Sequence, residues 1–156
     1  MFSILMVTVW HFLVFIFSIN FDPLFFNEMS LKIDSKRCKL RKKFYENVFK
    51  IKKWKDRVPL GIDRFSKKEL KSNDVSYLRK FILETYRGEF NHFLCCLIIF
   101  VLLFLGFKLS LFLNLLVIMI NIPCVFIQRY NRARLKLLVF NIESIKKIKV
   151  CNEQNF

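Results

Sequence analysis

Glycine, proline and histidine are scarce in this chain of 156 residues, which holds three glycines, three prolines and two histidines. That scarcity excludes several familiar sites. There is no glycine-rich phosphate loop, no GxSxG nucleophile elbow and no HExxH zinc helix. Little room is left for flexible linkers, and no stretch of the chain repeats. The five cysteines, Cys38, Cys95, Cys96, Cys124 and Cys151, form no CxxC pair, so neither a disulfide framework nor a zinc site is indicated. They read as apolar filler or free thiols. No metal and no organic cofactor is expected. Acidic residues are few as well, 12 against 27 Lys and Arg, which leaves a net charge of +15.

What the chain has in abundance is apolar surface: 54% of its residues are hydrophobic and 20 are Phe. So much charge and so much hydrophobicity rarely share one soluble core, but they coexist when segregated along the sequence. Residues 1–26 hold one charged side chain, Asp22, and residues 92–127 hold one, Lys108. By contrast, residues 27–90 carry 19 basic and 9 acidic side chains, and residues 128–156 carry 7 and 2.

A helix of about 18 or more apolar residues crosses roughly 30 Å of hydrocarbon. Residues 1–19 meet that length. The run from His92 to Ile127 spans about 54 Å as a helix, too long for one crossing and suited to two short ones turning at Gly106–Ser110, with one tilted span as the alternative. Lys and Arg gather in short cytoplasmic loops, so the basic middle and the basic tail should share the inner side. The N-terminus lacks a basic n-region, and Phe17-Ser18-Ile19-Asn20 offers no small-x-small cleavage site. It is expected to be an uncleaved anchor.

The expected architecture is all-α, a small polytopic membrane protein. It comprises an N-terminal transmembrane anchor (1–26), a basic amphipathic cytoplasmic segment (27–90), a transmembrane helical hairpin (91–127) and a basic cytoplasmic tail with an interfacial helix (128–156). Basic residues interleaved with Leu40, Phe44, Tyr45, Val48, Phe49 and Ile51 predict an amphipathic helix from Lys32 to Trp54 on an anionic lipid face, broken at Pro59 and Gly61. Ser72-Asn73-Asp74 predicts an N-cap for a helix that runs through Val75, Leu78, Phe81 and Ile82 into the second span. Asn121 and Pro123 predict a locally irregular backbone.

Two polar clusters flank the hairpin: Glu84 to His92 before it, and Asn121 with Gln128 to Arg134 after it. A hairpin returns to the face it left, so the two should meet at one depth. Glu89 and His92, at i, i+3, share a helix face, and a carboxylate beside an imidazole can leave one ring nitrogen as a general base. Glu84 lies on the same side, about 12 Å along the axis. Intrahelical ion pairs among Glu84, Arg87 and Glu89 are the plainer alternative. Arg129, Arg132 and Arg134 offer donors suited to phosphate or carboxylate groups, lipid headgroups included.

These residues resemble a known family, the glycosyl-4,4'-diaponeurosporenoate acyltransferases of staphylococci and related Firmicutes. The likeness rests on Lys53-Trp54-Lys55-Asp56 with Pro59; on Glu84-Thr85 with Arg87, Glu89 and His92; and on Asn121, Pro123, Gln128-Arg129-Tyr130-Asn131-Arg132 and Arg134-Leu135. It covers roughly residues 44–140, and Ala133 stands where the family usually has proline. The resemblance implies transfer of a fatty acyl group to a sugar hydroxyl of a membrane-embedded glycosylated carotenoid. His92, Glu89 and Glu84 would be catalytic, and Arg87, Gln128, Arg129, Tyr130, Asn131, Arg132, Arg134 and Trp54 would bind substrate. The implied partners are membrane lipid, the carotenoid glycoside and an acyl donor, either acyl-CoA or an acyl carrier protein. Nucleic acid is not expected, since an anchored basic face needs no such partner. A non-catalytic anchor or assembly protein, and another interfacial transferase acting on isoprenoid lipids, stay open as readings.

Overall fold

The computed structural model describes residues 2–58, 72–104 and 111–153. The expected turn at Gly106–Ser110 and the break at Pro59 and Gly61 lie outside those residues. Among the described residues every regular element is helical: α1 (Phe2–Asn20), α2 (Asn27–Leu31), α3 (Ser35–Asn47), α4 (Val75–Phe104) and α5 (Leu111–Glu153), with short 3₁₀ turns at Pro23–Phe26, Ile51–Lys53 and Lys55–Arg57. The all-α expectation holds.

Local chemistry explains where the helices start. Asp22 caps the first 3₁₀ turn, accepting from the Leu24 N–H at 2.8 Å, and Asp34 caps α3 through the Arg37 N–H at 2.9 Å. The Asp74 carboxylate accepts from the Tyr77 N–H at the start of α4, as the Ser-Asn-Asp signal predicts. The helix expected from Lys32 to Trp54 is shorter than its apolar pattern suggests. It ends at Asn47 because the chain turns at Lys50, whose φ of 46° is left-handed, and the Trp54 Nε1–H closes the turn on the Phe49 carbonyl at 2.9 Å. A second expectation is corrected at Asn121 and Pro123. α5 runs through both without interruption; proline removes one backbone donor, and the packed helix tolerates that loss here. The basic tail likewise continues α5 rather than forming a separate helix.

α4 and α5 form the centre of the molecule and run antiparallel. Contacts along the seam fix the register: Arg79 with Glu143 at 2.8 Å, Glu89 with Arg129, and His92 with Asn121. Leu78, Phe81 and Ile82 pack on Leu135 and Val139 at one end, while Ile98 and Ile99 pack on Val117 and on Val7 of α1 at the other. Burying each such side chain is worth about 1.5–3 kcal/mol. At the middle of the seam Gly88 leaves room for the Gln128 side chain, since a Cβ there would sit 2.7 Å from Gln128 Nε2. α1 lies antiparallel to α4, with Trp10 Nε1 donating to the Leu94 carbonyl at 2.9 Å and the Ser18 hydroxyl bonded to Asn91. α3 and the turn after it close over α5 through Tyr45, Ile51, Ile127 and Tyr130.

Around α1 and the facing ends of α4 and α5 the surface is apolar, with Phe12, Phe100, Phe104, Phe112 and Met119 exposed. Among the described residues one helix, Phe112–Asn152, is long and apolar enough to cross a membrane, and Ile4–Ser18 is a shorter apolar helix.

Candidate functional site

Antiparallel packing brings the two predicted polar clusters together where α4 and α5 leave the apolar belt. Glu89 projects from α4 between two arginines one turn apart on α5. One carboxylate oxygen accepts from Arg129 Nε at 2.5 Å, and the other accepts from Arg132 Nη2. Arg132 is only 5% exposed. Its guanidinium lies 3.9 Å from the centre of the Tyr86 ring, a cation–π contact that desolvation strengthens. Phe26 also stacks on Tyr86, centroids 5.6 Å apart. Burial raises the Tyr86 phenol above its usual value, and its hydroxyl donates to the Met29 carbonyl at 3.2 Å.

His92 takes a partner that helix spacing does not suggest. Its Nδ1 lies 3.0 Å from Asn121 Oδ1 on α5. The orientation of that amide is settled by its other end, because Asn121 Nδ2 donates to the Val117 carbonyl at 2.9 Å. Asn121 Oδ1 must therefore accept, so a neutral His92 carries its proton on Nδ1 and its lone pair on Nε2. Asn121 is 4% exposed, which holds this arrangement rigidly.

The remaining predicted residues divide among different surroundings. Glu84 pairs with Arg87 within α4 at 2.5 Å, and Arg87 also donates to the Ser18 carbonyl of α1 at 3.4 Å. That is the intrahelical pair of the plainer alternative, whereas Glu89 bonds across to α5. Tyr130 is buried and donates to Glu46 at 3.0 Å. Burial and that bond push its hydroxyl up to about 12, so Tyr130 ties α3 to α5 as a neutral phenol. Trp54 packs in the same cluster. Gln128 fills the space over Gly88. Asn131 and Arg134 line a separate groove of 750 Å³ between α3 and α5, edged by Lys36, Lys39, Lys42 and Lys43.

Lys136 belongs to the site without having been a candidate. It follows Arg132 by four residues and Arg129 by seven, so it continues their helical face, a spacing that could have singled it out. Its buried ammonium donates to the Met29 carbonyl at 2.7 Å, the Lys32 carbonyl at 2.8 Å and Tyr86 Oη at 3.3 Å. Burial lowers it to about 8. Lys136 sits in a cleft of 680 Å³ whose walls also include Arg37, Cys38 and Arg41 of α3 and Glu89, Arg129 and Arg132. An apolar groove of 250 Å³ adjoins it, walled by Phe26, Phe90, Phe93 and Val125. Cleft and groove share Met29, Tyr86, Glu89, Arg129 and Arg132.

Fold and site together define a class: a small all-α protein with an apolar belt, in which two antiparallel helices hold a polar, arginine-rich site at the edge of that belt. Within that class the chain belongs to the glycosyl-4,4'-diaponeurosporenoate acyltransferase family, whose model matches residues 25–140. That span takes in the whole site and leaves α1 outside it. Relatives named glycosyl-4,4'-diaponeurosporenoate acyltransferase in Staphylococcus aureus strains N315 and USA300 are each 30% identical to it over 102 residues, covering 62% of this chain and 61% of theirs. The protein of the same name in strain MRSA252 is 29% identical over the same length. The chain thus spans about three-fifths of the length of the curated relatives it matches. No solved structure matches it.

Proposed function

We propose that this chain transfers a fatty acyl group from an acyl donor to a sugar hydroxyl of a glycosylated carotenoid of the diaponeurosporenoate type, at the inner surface of the cell membrane. One observation carries the reading: a basic polar cleft runs into an apolar groove at Glu89, Arg129 and Arg132. Acyl transfer between two lipid-bearing molecules needs both environments at one point. The family name supplies the substrate class.

In this proposal His92 Nε2 takes the proton of the attacking sugar hydroxyl as the oxygen bonds to the acyl carbonyl carbon. The thioester C–S bond then breaks, and the sulfur leaves with the proton returned by His92. Asn121 holds the ring in the required tautomer. The neighbours of His92 on α4, Glu89 and Phe93, line the groove, which supports an acyl chain lying there. Arg129 stands at the junction to stabilise the oxyanion, and Glu89 keeps Arg129 and Arg132 in place. Glu84, Arg87, Tyr130 and Trp54 act by positioning α1, α3 and α5.

Supplying cells with a glycosylated diaponeurosporenoate-type carotenoid, with and without this chain expressed, provides the test by mass spectrometry. A gain in mass of one fatty acyl group in the glycoside is expected. Unchanged glycoside in expressing cells refutes the proposal.

We further propose that α1, the apolar part of α4 and the apolar part of α5 cross the membrane in alternation, with residues 21–90 and the C-terminal part of α5 in the cytoplasm. The alternating helix directions and the lysine-rich ends support it. Exposed Cys151 should then resist a membrane-impermeant thiol reagent in intact cells and react once the membrane is opened. Labelling in intact cells sinks the topology.

A further inference from the structure

The basic cleft holds more positive charge than its own acids balance. Lys32, Arg37, Arg41, Arg129, Arg132 and Lys136 line it, against Asp34 and Glu89, an excess of four. Asp34 lies 3.7 Å from Arg37, and Glu89 is taken up by Arg129 and Arg132. Lys136 is surrounded by neutral oxygens. Arg132 Nη1 is buried with no hydrogen-bond partner. Of the six cations Arg132 and Lys136 are buried and the other four are exposed at the mouth of the cleft, and burying Lys136 without an anion is costly unless a ligand supplies the missing charge.

The missing group can be specified chemically. Arginines at Arg37, Arg41 and Arg129 come from two helices, and guanidinium groups match phosphate in geometry. The cleft volume of 680 Å³ falls within the range of roughly 300–1,000 Å³ found for small-ligand sites. An excess of four charges exceeds what the single phosphate of a membrane lipid would balance, and suits a ligand with several. The adjoining apolar groove then receives whatever acyl chain that ligand carries.

We infer that the cleft between α3 and α5 binds the phosphate groups of a coenzyme A thioester, making this the acyl donor and Lys136 and Arg41 its anion-binding residues. This rests on the acyl-transfer reading, and binding alone can be measured without it. Lys136 adds a proton signature. The titratable groups that share the cleft with it are Lys32, Asp34, Arg37, Cys38, Arg41 and Tyr45 from α3 and the link before it, Tyr86 and Glu89 from α4, and Arg129 and Arg132 from α5. Burial keeps the Cys38 thiol and the Tyr86 phenol above their ordinary values, so both stay neutral at pH 8. A polyanion beside Lys136 raises it from about 8, and binding at that pH takes up as much as about half a proton.

Calorimetric titration of coenzyme A into the full chain in nanodiscs of neutral lipid tests this. Binding is expected, weakened at least tenfold in both Arg41→Gln and Lys136→Met, with the proton uptake absent in Lys136→Met. Arg41 is exposed, so its variant keeps the fold and decides the matter if Lys136→Met does not. Coenzyme A binding equal in wild type and Arg41→Gln, or no binding at all, overturns the inference. So does abolition of binding when phosphatidylglycerol is added to the nanodiscs, which would give the cleft to a lipid headgroup. Intact coenzyme A binding with no acylated glycoside formed would count against the acyl-transfer reading alone.

Discussion

His92→Ala lowers the rate of acyl transfer by about 10²- to 10⁴-fold, the usual contribution of a positioned general base, and leaves the helical fold in place. His92 is half-buried in the seam between α4 and α5 and touches Asn121 through one ring nitrogen. Losing the ring there removes the bond to Asn121, which the helix packing around it outlasts, whereas the chemistry loses its proton acceptor. Asn121→Ala separates orientation from chemistry. It leaves the imidazole present but frees the tautomer, so the expected loss is smaller. Rates for the three proteins, measured on the glycosylated carotenoid with circular dichroism as the check on folding, decide it. A His92→Ala protein that is folded and transfers at the wild-type rate removes His92 from the mechanism.

The second large effect is on stability. Glu89→Ala leaves Arg132, buried at the centre of the site, and Arg129 without their shared carboxylate. Removing one partner of a buried ion pair costs about 3–5 kcal/mol, because the remaining charge is stranded away from water. Arg129 is partly exposed and softens the loss at its side, so most of the cost comes from Arg132. Glu89→Gln keeps one acceptor oxygen for Arg132 and should lose less. Thermal unfolding in detergent, following helix signal, would rank wild type above Glu89→Gln and Glu89→Ala lowest. Equal midpoints for all three would mean that the arginines find other partners, and Glu89 would lose its role as their organiser.

Much of this arrangement is legible in the chain itself. Apolar runs separated by basic stretches predict helices and their order, Ser72-Asn73-Asp74 marks the start of α4, and the two polar clusters at the ends of the 92–127 run predict where the candidate site lies. Helical periodicity is also enough to place Arg129, Arg132 and Lys136 on one face. Other features escape such reading. Lys50 has no sequence signal for a left-handed turn, so α3 ends sooner than its apolar pattern predicts. Glu89 and His92 satisfy the i, i+3 rule, yet Glu89 bonds to two arginines forty or more residues away and His92 bonds to an asparagine in a stretch read as irregular backbone.

Sequence alone determined that this chain is helical, that its charge and its apolar surface are kept apart, and that it carries the QRYNR string and its upstream Glu and His. These depend on residue order along one strand of chain, and on spacings within single helices. Tertiary structure decided which carboxylate serves which cation, which amide sets the histidine tautomer, and that Lys136 closes a cleft with α3. The physical reason is that a helix repeat states which residues share a face, but the partner of that face depends on the rotation and register of the next helix. Here those are set by the Gln128 side chain seated against Gly88 and by the apolar contacts at either end of the seam.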